Sequence, residues 1–369
     1  MPRIVAHLDM DAFFAAIEER DTPAFRGLPL VVGADPRGGK GRGVAATSNY
    51  RARAYGIHSA TPISVAWRLS EAARRAGKPP VTFVSVDMAK YARVSDAVLG
   101  IMRRFIPLVE PASIDEAYGD VSATGSYEEA ERLCRELKQA IRTEQRLTAS
   151  VGIGPNKLIA KIASGLRKPD GLTVVREAEA EAFLEPLSVR AIPGIGPKTE
   201  RHLARQGIML VRDLKTLGPA RLEGLLGKRG VELYDKVRGL DSTPVETSFQ
   251  PKSIGEQETF ETDVRDSRLL VEQLAALSRD VIARLHREGL HRFRTIVLTV
   301  RFADFETKSR ARTLARPAGE AVTLRREALK LLMPFLDRRD NPRRKAIRLL
   351  GLRVEQLDEG RQRNLYGQE

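Results

Sequence analysis

The stretch that most constrains this chain is Ala-Ser-Ile-Asp-Glu-Ala-Tyr at residues 112–118. Asp115 and Glu116 are adjacent acids in an otherwise apolar segment, with Leu108 and Val109 before them and Tyr118 and Val121 after. Neighbouring side chains of a strand point to opposite faces, so one acid would face a core unless something needs both. A buried, unpaired carboxylate is costly, and a divalent cation is the usual compensation. Taken alone, the pair reads as a tight turn with both acids in water; a third acid shifts that balance. Ile4 to Leu8 is a short β-rich run ending in Asp9-Met10-Asp11, followed by Phe13 and Phe14. A strand delivering Asp9 beside a hairpin that carries Asp115 and Glu116 makes an all-oxygen site. Mg²⁺ favours such a site when substrate phosphates complete it, and two ions can clamp the attacking and leaving oxygens of phosphoryl transfer. Asp11 is either a fourth ligand or, the favoured reading, the cap of a helix starting at Ala12.

The 369 residues imply more than one domain. Lys and Arg number 62 against 48 acids, a net of +14, which points to a polyanionic partner, nucleic acid before membrane. Aromatics are only 5 %, so backbone phosphate contact is expected over base stacking. The single cysteine, Cys134, falls in the helical pattern of Ala130, Leu133, Leu137 and Ile141 and reads as core filler. The opening residues lack a signal-peptide run and no stretch approaches a membrane span, so a cytoplasmic protein without membrane attachment is expected.

Along the chain, 12–20 reads as a helix, 28–33 as a buried strand, 35–43 as a basic Gly-rich connection without P-loop spacing, and 61–76 as an amphipathic helix anchored by Trp67. Strand 81–86, helix 89–105, the acidic hairpin, helix 128–142 and strand 147–153 form the sequence of a ferredoxin-like unit. Helix 155–166 turns Leu158, Ile159 and Ile162 inward and leaves Lys157, Lys161 and Arg167 outside. From Ala178 the pattern is helical. Residues 192–198, Ile-Pro-Gly-Ile-Gly-Pro-Lys, look like a helix–hairpin–helix, whose Gly194 and Gly196 let the backbone approach a phosphate beside Lys198. A weaker turn of this kind lies at 227–230.

Residues 242–251 read as an extended linker. Beyond it, strand 253–260, helix 267–288, strands 292–302 and 310–315, helix 324–336 and strand 346–354 give a second split-βαβ unit. Residues 251–369 hold 25 Lys and Arg against 18 Asp and Glu, half of the whole excess. Two helices on one sheet face leave the other for DNA, with Arg292, Arg294, Arg310 and Arg312 as the expected contacts. Such binding is independent of base sequence and salt-sensitive, each phosphate contact steepening the dependence by just under one log unit per log unit of salt.

The segments His-Leu-Asp-Met-Asp-Ala-Phe-Phe (7–14), Ala-Thr-Ser-Asn-Tyr-Arg-Ala-Arg (46–53), Ala-Ser-Ile-Asp-Glu-Ala-Tyr and Ala-Lys-Ile-Ala-Ser-Gly-Leu-Arg-Lys-Pro-Asp-Gly (160–171) resemble the Y-family translesion DNA polymerases, of the bacterial DNA polymerase IV type. The resemblance runs in order over nearly the whole chain. It implies an α+β multidomain protein: a ferredoxin-like palm at 1–15 and 80–175, small α+β fingers at 16–79, a helix–hairpin–helix thumb at 176–241, a linker at 242–252, a little finger at 253–358 and a tail at 359–369. It also implies a monomeric, template-directed DNA polymerase of low fidelity that takes primer–template DNA and deoxynucleoside triphosphates. Asp9, Asp115, Glu116 and the Met10 carbonyl would hold two Mg²⁺ ions; Tyr50, Arg53 and Lys168 would bind the triphosphate; Phe14 would be the steric gate against a ribose hydroxyl. Arg51 and Lys161 read as surface side chains and Phe13 as core, while Thr47 could bond a phosphate. Ala45, Ala46, Ser59 and Ala60 stand where the family has a roof over the replicating pair. No second acid cluster suits a proofreading exonuclease. The tail residues Gln362 to Tyr366 fit a sliding-clamp-binding pattern of a glutamine and two apolar anchors. A catalytically inert DNA-binding scaffold and a metal-dependent nuclease are the competing readings; the first leaves the complete set of acids unexplained, the second the triphosphate grip and sugar gate.

Overall fold

The computed structural model describes residues 2–248 and 250–359, in two compact units that divide after Ser248. The clamp-like segment 362–366 lies outside the described residues.

The first unit is built on a five-stranded sheet in the order Leu108–Pro111, Glu116–Asp120, Val5–Met10, Ala149–Gly154 and Leu172–Val174. Alternation decides its two faces. Ala6, Leu8 and Met10 enter the main core under the helices Met88–Phe105 and Tyr127–Gln145, which contribute Val94, Val98, Met102, Ala130, Cys134, Leu137 and Ile141. Val5, His7 and Asp9 point the other way, where helix Lys157–Leu166 covers part of the sheet. That helix sits close because Gly152 has no side chain: a Cβ there would lie 2.0 Å from the Ala160 carbonyl oxygen and 2.3 Å from the Ser164 nitrogen.

Four features of this unit differ from what the sequence predicts. The strand at Thr82–Ser85 does not join this sheet; it pairs parallel to Leu30–Gly33, whose other neighbour is Ala45–Ser48, in a separate three-stranded sheet. The place assigned to it is taken by Val5–Met10, and Leu172–Val174 adds an unforeseen fifth strand. Ala45 is fully buried in the small sheet's core with Val31, Ile57 and Ile63, so it belongs to packing rather than to a roof. The segment read as a loose linker is strapped down at its start. Arg3 donates to the carbonyls of Asp241 and Thr243, Lys157 to that of Pro244, and the Glu246 N–H donates to Glu110. Short helices from Ala180 to Lys236 pack around Leu184, Val189, Ile192, Leu203, Leu214 and Leu222. Gly194 adopts φ 97° ahead of helix Pro197–Ala204, leaving Gly194 and Lys198 exposed. Gly230 lies inside helix Lys228–Lys236, where a Cβ would strike the Leu222 carbonyl, so it serves helix packing.

The second unit is a four-stranded antiparallel sheet, Thr307–Ala318, Phe293–Phe302, Ile347–Glu355 and Ser253–Val264 in that order, with helices Ser267–Arg287 and Ala321–Leu336 on one face. Ile296, Leu298, Val300 and Phe302 face those helices. Arg310 and Arg312 stand opposite Leu298 and Ile296, hence on the helix side, and are paired with Asp340 and with the buried carboxylate of Glu327. The opposite face carries the buried Thr295 and Val297, then Thr299 and Arg301, with Thr307, Ser309, Ala311 and Thr313 across the ladder. Arg294 is exposed and donates to the Leu314 carbonyl; Arg292 is half-buried beside the backbone of Asp358.

Gly152→Ala should separate strand 149–154 from helix 157–166, because both clashing atoms are backbone. A loss of about 1–3 kcal/mol or more in urea unfolding is expected, and an unchanged midpoint would show that the close approach is not needed.

Candidate active site

The sheet register creates the site. Val5–Met10 and Glu116–Asp120 run antiparallel with Asp9 directly opposite Glu116, two residues beyond His7 opposite Tyr118. Directly opposed residues project to the same face, so two carboxylates are forced side by side. The hairpin turn that delivers Glu116 is fixed by Ser113: its hydroxyl accepts the Glu116 N–H at 3.1 Å, while the Ala112 and Ser113 N–H groups both donate to the Glu116 carbonyl. Asp115 is tied to the first strand by its backbone, its carbonyl accepting the Met10 N–H at 2.9 Å, but its carboxylate accepts the Ser113 hydroxyl at 2.6 Å.

Each opposed carboxylate has its own lysine. Asp9 pairs with Lys168 and Glu116 with Lys161. Burial pushes the Asp9 carboxyl up, against the pull of Lys168. The neighbouring His7 ring and then Lys161 hold Glu116 down at about 2 despite partial burial. His7 is fully buried, and burial lowers its pKa and keeps it neutral. Its Nδ1 lies 2.8 Å from the Ser164 hydroxyl, its ring stacks obliquely on Tyr118, and its Nε2 is turned toward Glu116 at 3.8 Å.

Among the described residues, no three His, Cys, Asp or Glu side chains close on one point as a metal cage would. The fit of a cation is therefore judged by the donors: two opposed carboxylates, each already holding a positive group, with a third acid adjoining in the chain and bonded to a serine hydroxyl. One or two carboxylates completed by phosphate oxygens is the pattern of Mg²⁺ rather than of a closed protein cage, and the residues present fit it.

The helix Tyr50–Arg53 supplies the next cationic group. Asn49 caps it by accepting the Ala52 N–H, accepts the Leu30 N–H with the same oxygen, and donates to the Leu28 carbonyl and to Glu19. Arg53 lies 4.6 Å over the Tyr50 ring and donates to the Ser48 carbonyl. Burial, then the Asp11 carboxylate, push the Tyr50 phenol up to about 12, so it is a donor at neutral pH. Phe14 is half-buried and stacks on Tyr91 at 4.3 Å, with the Tyr91 hydroxyl held by Glu18; Phe13 is buried in the core as expected. Arg51 is exposed and Thr47 half-buried.

Two readings from sequence are corrected here. Asp11 is no helix cap: helix Phe13–Asp21 begins after Ala12 at φ 46° with no side-chain cap, and the Asp11 carboxylate turns back to Ser150 and Asp170. Lys161 is no surface lysine but the partner of Glu116. Its signal was present in helical spacing, since Lys157, Lys161 and Ser164 share one face of their helix.

The profile of the impB/mucB/samB family matches residues 8–165, that of the family's C-terminal domain 251–365, and that of the DNA polymerase-iota thumb domain 190–241. A protein of Methanoculleus marisnigri named DNA polymerase IV is 43 % identical over 97 % of this chain and 95 % of its own length. One of that name from Listeria monocytogenes is 40 % identical over 96 % and 95 %. Among solved structures, a Y-family DNA polymerase chimera of Dbh and Dpo4 superposes with TM-score 0.85 at 29 % identity, covering 96 % of this chain and 99 % of the other. An insertion ternary complex of Dbh DNA polymerase gives 0.66 at 29 % identity over 95 % and 98 %. Full-length likeness in sequence and in architecture places the chain in the impB/mucB/samB family, the Y-family DNA polymerases.

Proposed function

We propose that this polymerase extends a primer 3′ end by phosphoryl transfer at the Asp9–Glu116 pair, with low fidelity and without proofreading. The chain is a DNA-directed DNA polymerase of the translesion class. The observation that carries the mechanism is the register: Asp9 faces Glu116 across adjoining strands, with Lys168 on the first and Lys161 on the second.

Asp9, Glu116, Asp115 and the Met10 carbonyl are the residues that would hold two Mg²⁺ ions. Held there, such ions would supply Lewis acidity to the primer hydroxyl and positive charge to the triphosphate and the leaving pyrophosphate. The chain's own residues do the remaining work. Lys168, once Asp9 no longer engages it, is a cation at the site's edge for the triphosphate. Tyr50 donates its hydroxyl and Arg53 its guanidinium to the same group, and the Tyr50 ring keeps the guanidinium in place before substrate arrives. Phe14, braced by Tyr91, stands where a sugar would lie and leaves no room for a 2′-hydroxyl.

The domain reading follows the same lines: palm at 1–15 and 80–175, except that Thr82–Ser85 counts with the fingers at 16–79 whose sheet it extends; thumb at 176–241; linker at 242–252; little finger at 253–358. Primer–template DNA would meet the thumb through Gly194, Gly196 and Lys198, and the little finger through Arg292, Arg294 and the hydroxyl-rich open face. Arg310 and Arg312 stand on the helix side of their strand, paired with Asp340 and Glu327, and so lie off that open face. No helix among the described residues is long and apolar enough to cross a membrane.

Primer extension with Mg²⁺ and deoxynucleotides tests the reading. Asp9→Asn and Glu116→Gln should each lower kcat by about 10²-fold or more, with primer–template binding retained; full activity in either would refute the site. Phe14→Ala should keep deoxynucleotide insertion while ribonucleotide discrimination, measured as a ratio of kcat/KM values, falls by about tenfold or more. Unchanged sugar discrimination would rule out the gate.

A further inference from the structure

We propose that Asp11 is a positioning residue for the incoming nucleotide: one buried carboxylate that ties the Tyr50 hydroxyl and the loop carrying Lys168 to a common point. This rests on the reading of Tyr50 and Lys168 as triphosphate ligands and extends it to how their spacing is set.

Asp11 is only 4 % exposed, just past the end of the first strand. The left-handed turn at Ala12 starts the next helix without using the Asp11 side chain, which is thereby free to point inward. One carboxylate oxygen accepts the Ser150 hydroxyl at 2.8 Å and the Tyr50 hydroxyl at 3.5 Å. The other accepts the backbone N–H of Asp170 at 2.7 Å. Ser150 extends the network, since its hydroxyl oxygen also accepts the Gly171 N–H at 3.2 Å.

The loop so gripped is the one that presents Lys168. Asp170 sits in it at φ 57°, a left-handed turn conformation that aspartate accepts more readily than most residues. From the outer side, Lys138 donates to the Asp170 and Gly171 carbonyls at 2.6 and 2.8 Å, and Arg142 pairs with the Asp170 carboxylate. The loop is thus held from within by Asp11 and Ser150 and from outside by Lys138 and Arg142. Among the described residues Asp11 makes no ion pair, and its oxygens are taken up by hydroxyl and amide donors. That is the environment of a strut, and it separates Asp11 from Asp9, two residues away, which holds a lysine.

Tyr50 and Lys168 come from parts of the chain more than a hundred residues apart, on the small sheet's helix and on the loop before the last palm strand. Both must meet one polyphosphate at once. A misplacement of about 1 Å can cost a factor of about 10² at a reacting centre, so the side chain that joins them sets the grip.

The test is single-nucleotide insertion with Mg²⁺ at varied deoxynucleotide, run with primer–template binding measured separately without nucleotide. Asp11→Ala is expected to raise KM for the nucleotide about tenfold or more while kcat stays within about threefold and DNA affinity within about twofold. Asp11→Asn, whose amide oxygen can still accept the Asp170 N–H, should stay within about threefold of the parent KM. In a Lys168→Ala background, Asp11→Ala should add less than it does alone, the remainder acting through Tyr50. An unchanged KM in Asp11→Ala, or a loss confined to kcat, overturns the proposal. An unchanged KM in Lys168→Ala takes the triphosphate reading down with it, whereas a raised KM there with none in Asp11→Ala removes the strut alone. Should Asp11→Ala fail to fold, Lys138→Ala loosens the same loop from the surface: a rise in KM of about threefold or more supports the proposal, and no rise overturns it.

Discussion

Two carboxylates placed directly opposite each other on adjoining strands repel, and a sheet does not normally keep such a pair. Here Asp9 and Glu116 are kept, and the rest of the first unit is arranged around compensating them. Lys168 reaches Asp9 from a loop that follows the palm's last helix, and Lys161 reaches Glu116 from that helix itself. Neither ammonium is fully buried, so each is held by its carboxylate without being locked in a dry interior. The pair is left partly solvated, as the exposures of Asp9 and Glu116 show.

Position is supplied by backbone rather than by long side chains. The absent side chain at Gly152 lets helix 157–166 lie against the sheet, which sets the reach of Lys161 and brings Ser164 onto His7. Asn49 uses both ends of its amide to lock a one-turn helix, and Tyr50 and Arg53 follow from that cap. Buried groups with their hydrogen-bonding capacity filled are stiff, and that stiffness passes to the half-buried Arg53 on the helix they hold.

Much of this was legible in the sequence because period and punctuation carry it. The alternation through residues 4–10 and the helical spacing of Ala130, Cys134, Leu137 and Ile141 put the palm elements where they are found, within a few residues. What was not legible depends on pairing partners. A short four-residue strand such as 82–85 has no preference for one sheet over another; only the parallel register with Leu30–Gly33 decides it. Arg310 and Arg312 alternate as a strand should, but an edge strand with so few apolar residues does not say which face meets the helices, and Glu327 and Asp340 settle that from a distant segment. Asp11 looked like a cap because acids before helices usually are; the left-handed Ala12 freed it for a longer-range task.

On the reading proposed above, the opposed pair Asp9 and Glu116 should hold divalent cations when DNA and nucleotide are present. Spin-resonance titration with Mn²⁺, on the full chain bound to a dideoxy-terminated primer–template and the matching deoxynucleoside triphosphate, measures this directly. Two tightly bound ions per chain, with at least one lost in Glu116→Gln and in Asp9→Asn, is the predicted result. Occupancy no greater than that of the free triphosphate, or unchanged in both variants, would contradict it.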